Sequence, residues 1–240
     1  MADTALLELR AASGGYGDNT VLHGVDLAIA PGTWTTIIGA NGAGKSTLLK
    51  LIAGVVGCRA GQVLFEGRDI TTLGAIERLR AGIGLVPQGR CNFPLLPVVE
   101  NLQLGGYSRR LGRAALARET EAMAEMFPRL RERWHVEAGN LSGGEQQLLE
   151  MAMVLMARPR LLLLDEPSLG LAPGPMQNVF ERVRALIREG VTVLMVEQNA
   201  RQALGHSDVG VVLELGRVSL VEPAHAVLVH PDIRRSFLGR

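Results

Sequence analysis

The chain has 240 residues, 47% hydrophobic and 20% charged, a globular composition long enough for one large domain with a real core. Its net charge of +1 gives no electrostatic reason to expect a nucleic-acid partner. Cys58, Cys91 and the five scattered histidines have neither metal-site nor disulfide-framework spacing.

The opening MADTALLELR has no long apolar run with a cleavage site, so no signal peptide is expected. LLELRAA (6–12) and VLHGVDLAI (21–29) predict strands, and VLFEGRDI (63–70) adds a third to a small antiparallel layer. TTIIG (35–39) is a continuous apolar strand that runs toward a helix, STLLKLIAG (46–54), and GIGLVP predicts a further strand. Between Gln88 and Gly139 the β pattern vanishes, and RAALARETEAMAEMF (113–127) sets Leu116, Met123 and Phe127 at near-helical spacing. Beyond it come a helix (143–157), the strand LLLLD (161–165), a helix (176–190) and the strand VTVLMVE (191–197). VVLELGRVSLVE (211–222) predicts a hairpin turning near Gly216.

Continuous apolar strands alternating with helices predict an α/β fold with a mostly parallel core sheet covered on both faces. Residues 1–88 and 151–240 are expected to form this core with its antiparallel layer, and 89–150 an inserted helical lobe. No apolar run is long enough to span a bilayer, so the expected setting is cytoplasmic, with any membrane link made through a partner.

Gly39-Ala40-Asn41-Gly42-Ala43-Gly44-Lys45-Ser46 has the spacing of a Walker A phosphate loop, after an apolar strand and opening a helix. Chance would give such a match in this composition about once in five hundred. Glycines let successive N–H groups turn toward phosphate oxygens, and the helix start adds unpaired donors. In that cradle Lys45 can bridge the β- and γ-phosphates, Ser46 can ligate Mg²⁺ and Thr47 can donate to a phosphate. LLLLDE (161–166) sets Asp165 at the carboxyl edge of the sheet, where it would hold Mg²⁺ through water. Glu166 would then orient an attacking water or take its proton.

LSGGEQQ (141–147) is a second Ser-Gly-Gly helix start. Ser142 and Glu145 make a capping box by themselves. Two glycines in a first turn nevertheless cost about 1 kcal/mol each in helix propensity, which makes better sense where something approaches the backbone closely. A helix start with bare N–H groups is an anion site. Since one Walker A loop already surrounds its own triphosphate, Ser142, Gly143 and Gly144 are expected to meet the γ-phosphate held by another chain.

In order, GANGAGKS, LSGGEQQ and LLLLDEP resemble the ABC-type ATPases over essentially the whole chain. The resemblance implies a P-loop NTPase of ABC type, with two such domains packed head to tail around two ATP and Mg²⁺. By the same resemblance Tyr16, in GGYGDNTVLHGVDL, stacks on adenine, a contact worth about 1–3 kcal/mol where bases stack on aromatics. Gln88 matches the glutamine that reaches Mg²⁺ or water and senses the permease, and Gln198 stands where most relatives have a switch histidine.

Four further stretches are similar to the smaller ATP-binding subunit of branched-chain amino-acid importers: 86–105, DEPSLGLAP (165–173), VEQNARQAL (196–204) and the closing SFLGR. Urea and amide importers have closely related subunits. The resemblance implies a peripheral ATPase at the cytoplasmic face of the membrane. Its partners would be permease subunits, a second ATPase subunit (a heterodimer in the assembled transporter) and, indirectly, a periplasmic or extracellular solute-binding protein.

Some residues depart from the family pattern. Gln198 can donate to a γ-phosphate but carries no charge and does not titrate. The loop Ser168-Leu169-Gly170-Leu171 lacks the usual aspartate, and Met153 lies near the place where relatives usually have an arginine. Phe93, Leu95 and Leu96 either line a groove for a cytoplasmic permease helix or belong to the core of the lobe. Two rival readings stand beside the importer: a soluble ABC ATPase without a permease, and a regulatory subunit that binds ATP without hydrolysing it, which Glu166 opposes.

Overall fold

The structure, a computed structural model, describes residues 5–237; the opening MADT and the last three residues of SFLGR lie outside them. The chain begins with β1 (Leu7–Tyr16), β2 (Asn19–Ile29), β3 (Trp34–Ile38), α1 (Lys45–Ile52), β4 (Cys58–Phe65) and β5 (Arg68–Asp69). It continues through α2 (Ala75–Ala81), β6 (Ile83–Val86), α3 (Val98–Gly105), α4 (Arg113–Met126), α5 (Pro128–Glu132) and α6 (Gly143–Leu155). The last part holds β7 (Leu161–Asp165), α7 (Pro173–Arg188), β8 (Thr192–Val196), α8 (Ala200–His206), β9 (Val209–Glu214), β10 (Arg217–Pro223), α9 (Ala224–Val229) and α10 (Pro231–Phe237).

Two sheets result. The antiparallel one has the order β2-β1-β4-β5, and the larger one the order β10-β9-β3-β8-β7-β6. In the larger sheet β9, β3, β8, β7 and β6 are parallel, and only the edge strand β10 runs the other way. The apolar strands are buried on both faces because their side chains alternate between two cores. Leu161, Leu163, Leu194 and Val196 point into the core shared with the antiparallel layer and α1. Leu162, Leu164, Val193 and Met195 point the other way, into the core shared with α6, α7 and the lobe.

The predicted hairpin is present, turning through Leu215 and Gly216 with positive φ at both. Its first strand, however, belongs to the core sheet, pairing with β3 in parallel. VLFEGRDI folds as two strands of the small sheet, β4 and β5, joined by a tight Glu66–Gly67 turn. Helix α7 starts at Pro173, three residues before the predicted start, because proline is preset for a first helical turn.

The lobe's helices α3, α4 and α5 share one apolar cluster with the core strands: Val98, Leu102, Met123 and Phe127 sit in it beside Leu162 and Val193. Helix α6 runs unbroken past residue 150, so the lobe and the α/β core have this helix in common. Among the described residues no helix is long and apolar enough to cross a membrane.

Candidate functional site

The phosphate loop leaves β3 and enters α1. Gly44 forms the N-cap of α1 at φ 101°, a left-handed conformation that a side chain disfavours. At Gly39 space alone decides, since a Cβ there would lie 2.2 Å from the carbonyl oxygen of Leu213. The loop is thus pinned against β9, and the Gly216 N–H adds a 2.9 Å bond to the carbonyl of Ala43. Lys45 is almost fully buried and turns its ammonium back on the loop, donating to the carbonyls of Gly39 (2.9 Å) and Ala40 (3.1 Å). Thr47 is buried beside it.

Ser46 faces the end of β7. Its hydroxyl donates to Asp165 Oδ1 at 2.8 Å, while Asp165 Oδ2 is buried without a partner. Burial raises the Asp165 carboxyl above its ordinary range, and the Ser46 hydroxyl and the charges of Lys50 and Lys45 draw it back. Among the described residues no group of three or more His, Cys, Asp or Glu side chains gathers around a point. A divalent cation here would therefore rest on Asp165, Ser46 and a nucleotide's own oxygens, the sparse protein set that suits Mg²⁺.

Glu166 follows with φ +50°, unusual for a residue with a side chain, and its N–H donates to the carbonyl of Val196 at 2.9 Å. Gln88 Nε2 donates to Glu166 Oε2 at 2.9 Å. A cleft of about 480 Å³ brings together Asn41, Gly42, Gly44, Lys45, Ser46, Thr47, Gln88, Glu166 and Gln198. Nine of the sequence-predicted positions thus share one space. Leu169, from the loop that lacks the usual aspartate, lines it too, as does Val21, an isolated aliphatic residue that carries no chemical signal in the sequence.

A second residue missed in the sequence is Glu197. It is buried at the end of β8, accepts from the Ser168 N–H at 2.9 Å and the Gln198 N–H at 3.2 Å, and so links two loops of the cleft. Burial raises its carboxyl, and the charge of Glu166 adds to the rise against the Ser168 and Gln198 donors.

Ser142, Gly143 and Gly144 are not part of the cleft lining. They begin α6, Ser142 and Gly143 exposed and Gly144 buried, and the predicted capping box forms there. Glu145 N–H donates to Ser142 Oγ at 3.4 Å, and the Ser142 N–H donates to Glu145 Oε2 at 2.9 Å. The two glycines differ. A Cβ on Gly144 would meet Pro175 at 2.7 Å, so a neighbour within the same chain accounts for that glycine. Gly143 is exposed, with Leu171 at 3.5 Å as the nearest atom to a Cβ. Tyr16 is likewise outside the lining, half exposed at the turn between β1 and β2, where it pairs with Asn19.

Behind Gln88 the chain is fixed by two buried side chains. Asn101 Oδ1 accepts from the Phe93 N–H at 2.7 Å, and its amide donates to the carbonyls of Phe93, Leu96 and Pro97. Glu150 on α6 accepts from the Cys91 N–H at 2.9 Å and from Asn92 Nδ2 at 2.8 Å. Burial pushes the Cys91 thiol up to about 12, so it stays protonated and inert at neutral pH. Met153 is buried in the apolar cluster and lines a cavity of about 360 Å³ with Glu150 and Cys91.

Phe93 is 49% and Leu95 81% exposed, which removes both from the lobe core. Leu96 lines a groove of about 1050 Å³ together with Ile76, Leu79, Leu104, Tyr107 and Leu111. Of the three groove candidates, Leu96 is in the lining and the other two are on the neighbouring surface.

The chain is similar to known proteins in sequence and fold. Residues 22–169 match the ABC transporter family. The high-affinity branched-chain amino acid transport ATP-binding protein BraG of Pseudomonas aeruginosa is 45% identical, over 93% of this chain and 95% of that one. The probable branched-chain amino acid transport ATP-binding protein LivF of Archaeoglobus fulgidus is 37% identical, over 94% of this chain and 95% of that one. Among solved structures, an ATP-binding cassette of an ABC transporter superposes with a TM-score of 0.88 at 28% identity, over 98% of this chain and 99% of that one. An ADP conformation of such a cassette gives 0.85 at 28% identity, over 98% and 99% of the two chains. With phosphate loop, sheet-edge carboxylates and signature helix set out on a cassette fold, the chain belongs to the ABC transporter family as one of its ATP-binding, ATP-hydrolysing subunits.

Proposed function

We propose that this subunit powers the import of branched-chain amino acids, working at the cytoplasmic face of the membrane on permease subunits and beside a second ATPase subunit. The observation that carries the substrate is the 45% identity to BraG over nearly the full length of both chains. The groove lined by Leu96, Ile76, Leu79 and Tyr107 has the size and apolar character to take a permease helix. Phe93 and Leu95, exposed beside Gln88, would extend that contact. Residues 89–150 would act as the lobe that carries it, and a solute-binding protein would deliver substrate to the far side of the permease.

The residue roles follow from the cleft. Lys45 would exchange its two carbonyl partners for phosphate oxygens, and the free N–H groups at the start of α1 would take the remaining charge. Gly39, Asn41, Gly42, Ala43, Gly44 and Thr47 would shape that cradle, and Tyr16 would cover the adenine. Asp165, Ser46 and Gln88 would hold Mg²⁺, a fit supported by the unpartnered, buried Asp165 Oδ2. When bound there, the ion would supply neutralisation of the phosphate charge. Glu166, to which Gln88 donates, would orient the attacking water, and Gln198 would donate to the γ-phosphate. Ser142 and Gly143, exposed outside this cleft's lining, would close the site of a second subunit, with Gly144 buried behind them as the close-packed base of that helix start.

Labelled leucine uptake into vesicles carrying the assembled transporter tests the substrate. Uptake that requires ATP inside the vesicle and disappears with Lys45→Ala is expected. Vesicles that take up urea or an amide in place of leucine would overturn it.

A further inference from the structure

The ends of β7 and β8 are tied by three consecutive residues. Val196 accepts from the Glu166 N–H, Glu197 Oε1 accepts from the Ser168 N–H, and Glu197 Oε2 accepts from the N–H of Gln198. The loop from Ser168 closes on itself through Leu169 N–H to the Glu166 carbonyl and Leu171 N–H to the Ser168 carbonyl, both at 3.1 Å. Leu169, Glu166 and Gln198 all line the nucleotide cleft. Glu166 is held by the Val196 carbonyl, while the Ser168 loop that carries Leu169 is joined to Gln198 through one carboxylate.

That carboxylate is costly. Glu197 is 1% exposed, and among the described residues no Lys, Arg or His forms an ion pair with it. A buried charge held by N–H groups alone is retained at the expense of stability. A glutamine would save that cost but offers a single accepting oxygen and turns its NH₂ against the second N–H.

We propose that Glu197 is a positioning residue for ATP hydrolysis, whose two oxygens hold the Ser168–Leu171 loop and Gln198 as one unit in register with Glu166. The proposal rests on the ATPase reading of the cleft. Glu197 touches no reacting atom in this scheme. It acts through the loop and through Gln198, so its loss should fall on turnover and spare nucleotide capture, which belongs to the phosphate loop.

Glu197→Gln and Glu197→Asp in the full chain test this, the second variant keeping the charge and shortening the reach should the first fold poorly. The expected result is a kcat lowered about tenfold or more, with the Kd for ATP changed less than about twofold. In parallel, hydrogen exchange at the Ser168 and Gln198 amides should speed up together, while the Leu194 amide in the middle of β8 keeps its rate. Amides that keep their protection would overturn the proposal. So would freed amides with an unchanged kcat, or a lowered melting temperature with normal turnover by the folded fraction. A wild-type chain that hydrolyses no ATP would instead defeat the ATPase reading, an outcome seen before any substitution is made.

Discussion

Ser46 Oγ and Asp165 Oδ1 lie 2.8 Å apart across 119 residues of sequence, joining the phosphate loop to the end of β7. The bond occupies one carboxylate oxygen and leaves the other buried and unpaired. Such an atom is costly until something cationic fills its second lone-pair side. Asp165→Asn keeps an oxygen for the Ser46 hydroxyl and removes the charge. Affinity for ATP in the presence of Mg²⁺ should then fall about 10–100-fold, with little change in EDTA. Equal losses in both conditions would show that Asp165 shapes the loop without holding an ion.

The two signature glycines separate cleanly by substitution. Gly144→Ala drives a methyl group to 2.7 Å from Pro175 and should cost about 1–3 kcal/mol in urea unfolding, as overpacking does. Gly143→Ala meets nothing closer than Leu171 at 3.5 Å and should leave stability unchanged or slightly raised, while lowering ATP hydrolysis by the assembled pair. If Gly143→Ala left both stability and hydrolysis intact, no second chain would approach that helix start.

Glu150 carries a pH signature opposite to that of a paired surface carboxylate. Burial raises its carboxyl above the ordinary 4.5, and the Cys91 and Asn92 donors only partly reverse this. Between the unfolded and folded values the native state binds more protons, so this contribution is full below the unfolded value and is lost as pH rises through the folded one. Glu150→Gln preserves the accepting oxygen for Cys91 and Asn92. It should be at least as stable as wild type at neutral pH, with the advantage shrinking as pH falls through that window. A variant less stable than wild type at neutral pH would mean that the charge itself holds the 91–92 segment.

Leu95, 81% exposed, has almost no buried area to lose. Leu95→Ser should shift unfolding free energy by no more than about 0.5 kcal/mol. In the assembled transporter it should lower the uptake obtained per ATP hydrolysed. Loss of the lobe's folding, read as early proteolysis between α3 and α5, would contradict the exposed placement.

Much of this was legible in the chain because the signals are local. LLLL (161–164) and VLMV (193–196) are unbroken apolar runs, and the structure divides alternate residues between two cores, as a strand covered on both faces requires. GANGAGKS and LSGGEQQ announce a loop and a capped helix from within a single turn. What escaped depends on distant partners. β9 looks like half of an isolated hairpin, yet its place beside β3 is set by a strand some 170 residues earlier. Glu197 and Glu150 are ordinary acidic residues until folding brings them N–H groups from 29 and 59 positions away. The cleft residue Val21 has no signature at all. Glycine in a signature motif suggests room for a visitor, but at Gly144 the neighbour is Pro175 of the same chain.

The signature helix starts outside the cleft lining of its own chain and is proposed to complete the site of another. Light scattering on Glu166→Gln with Mg·ATP, with and without Ser142→Arg, is the direct measurement. A shift from monomer to dimer mass is predicted for Glu166→Gln alone. Adding Ser142→Arg should return the protein to monomers that still bind ATP. A dimer that persists with Arg at position 142 would contradict the account, since the helix start at Gly143 would then lie outside the interface.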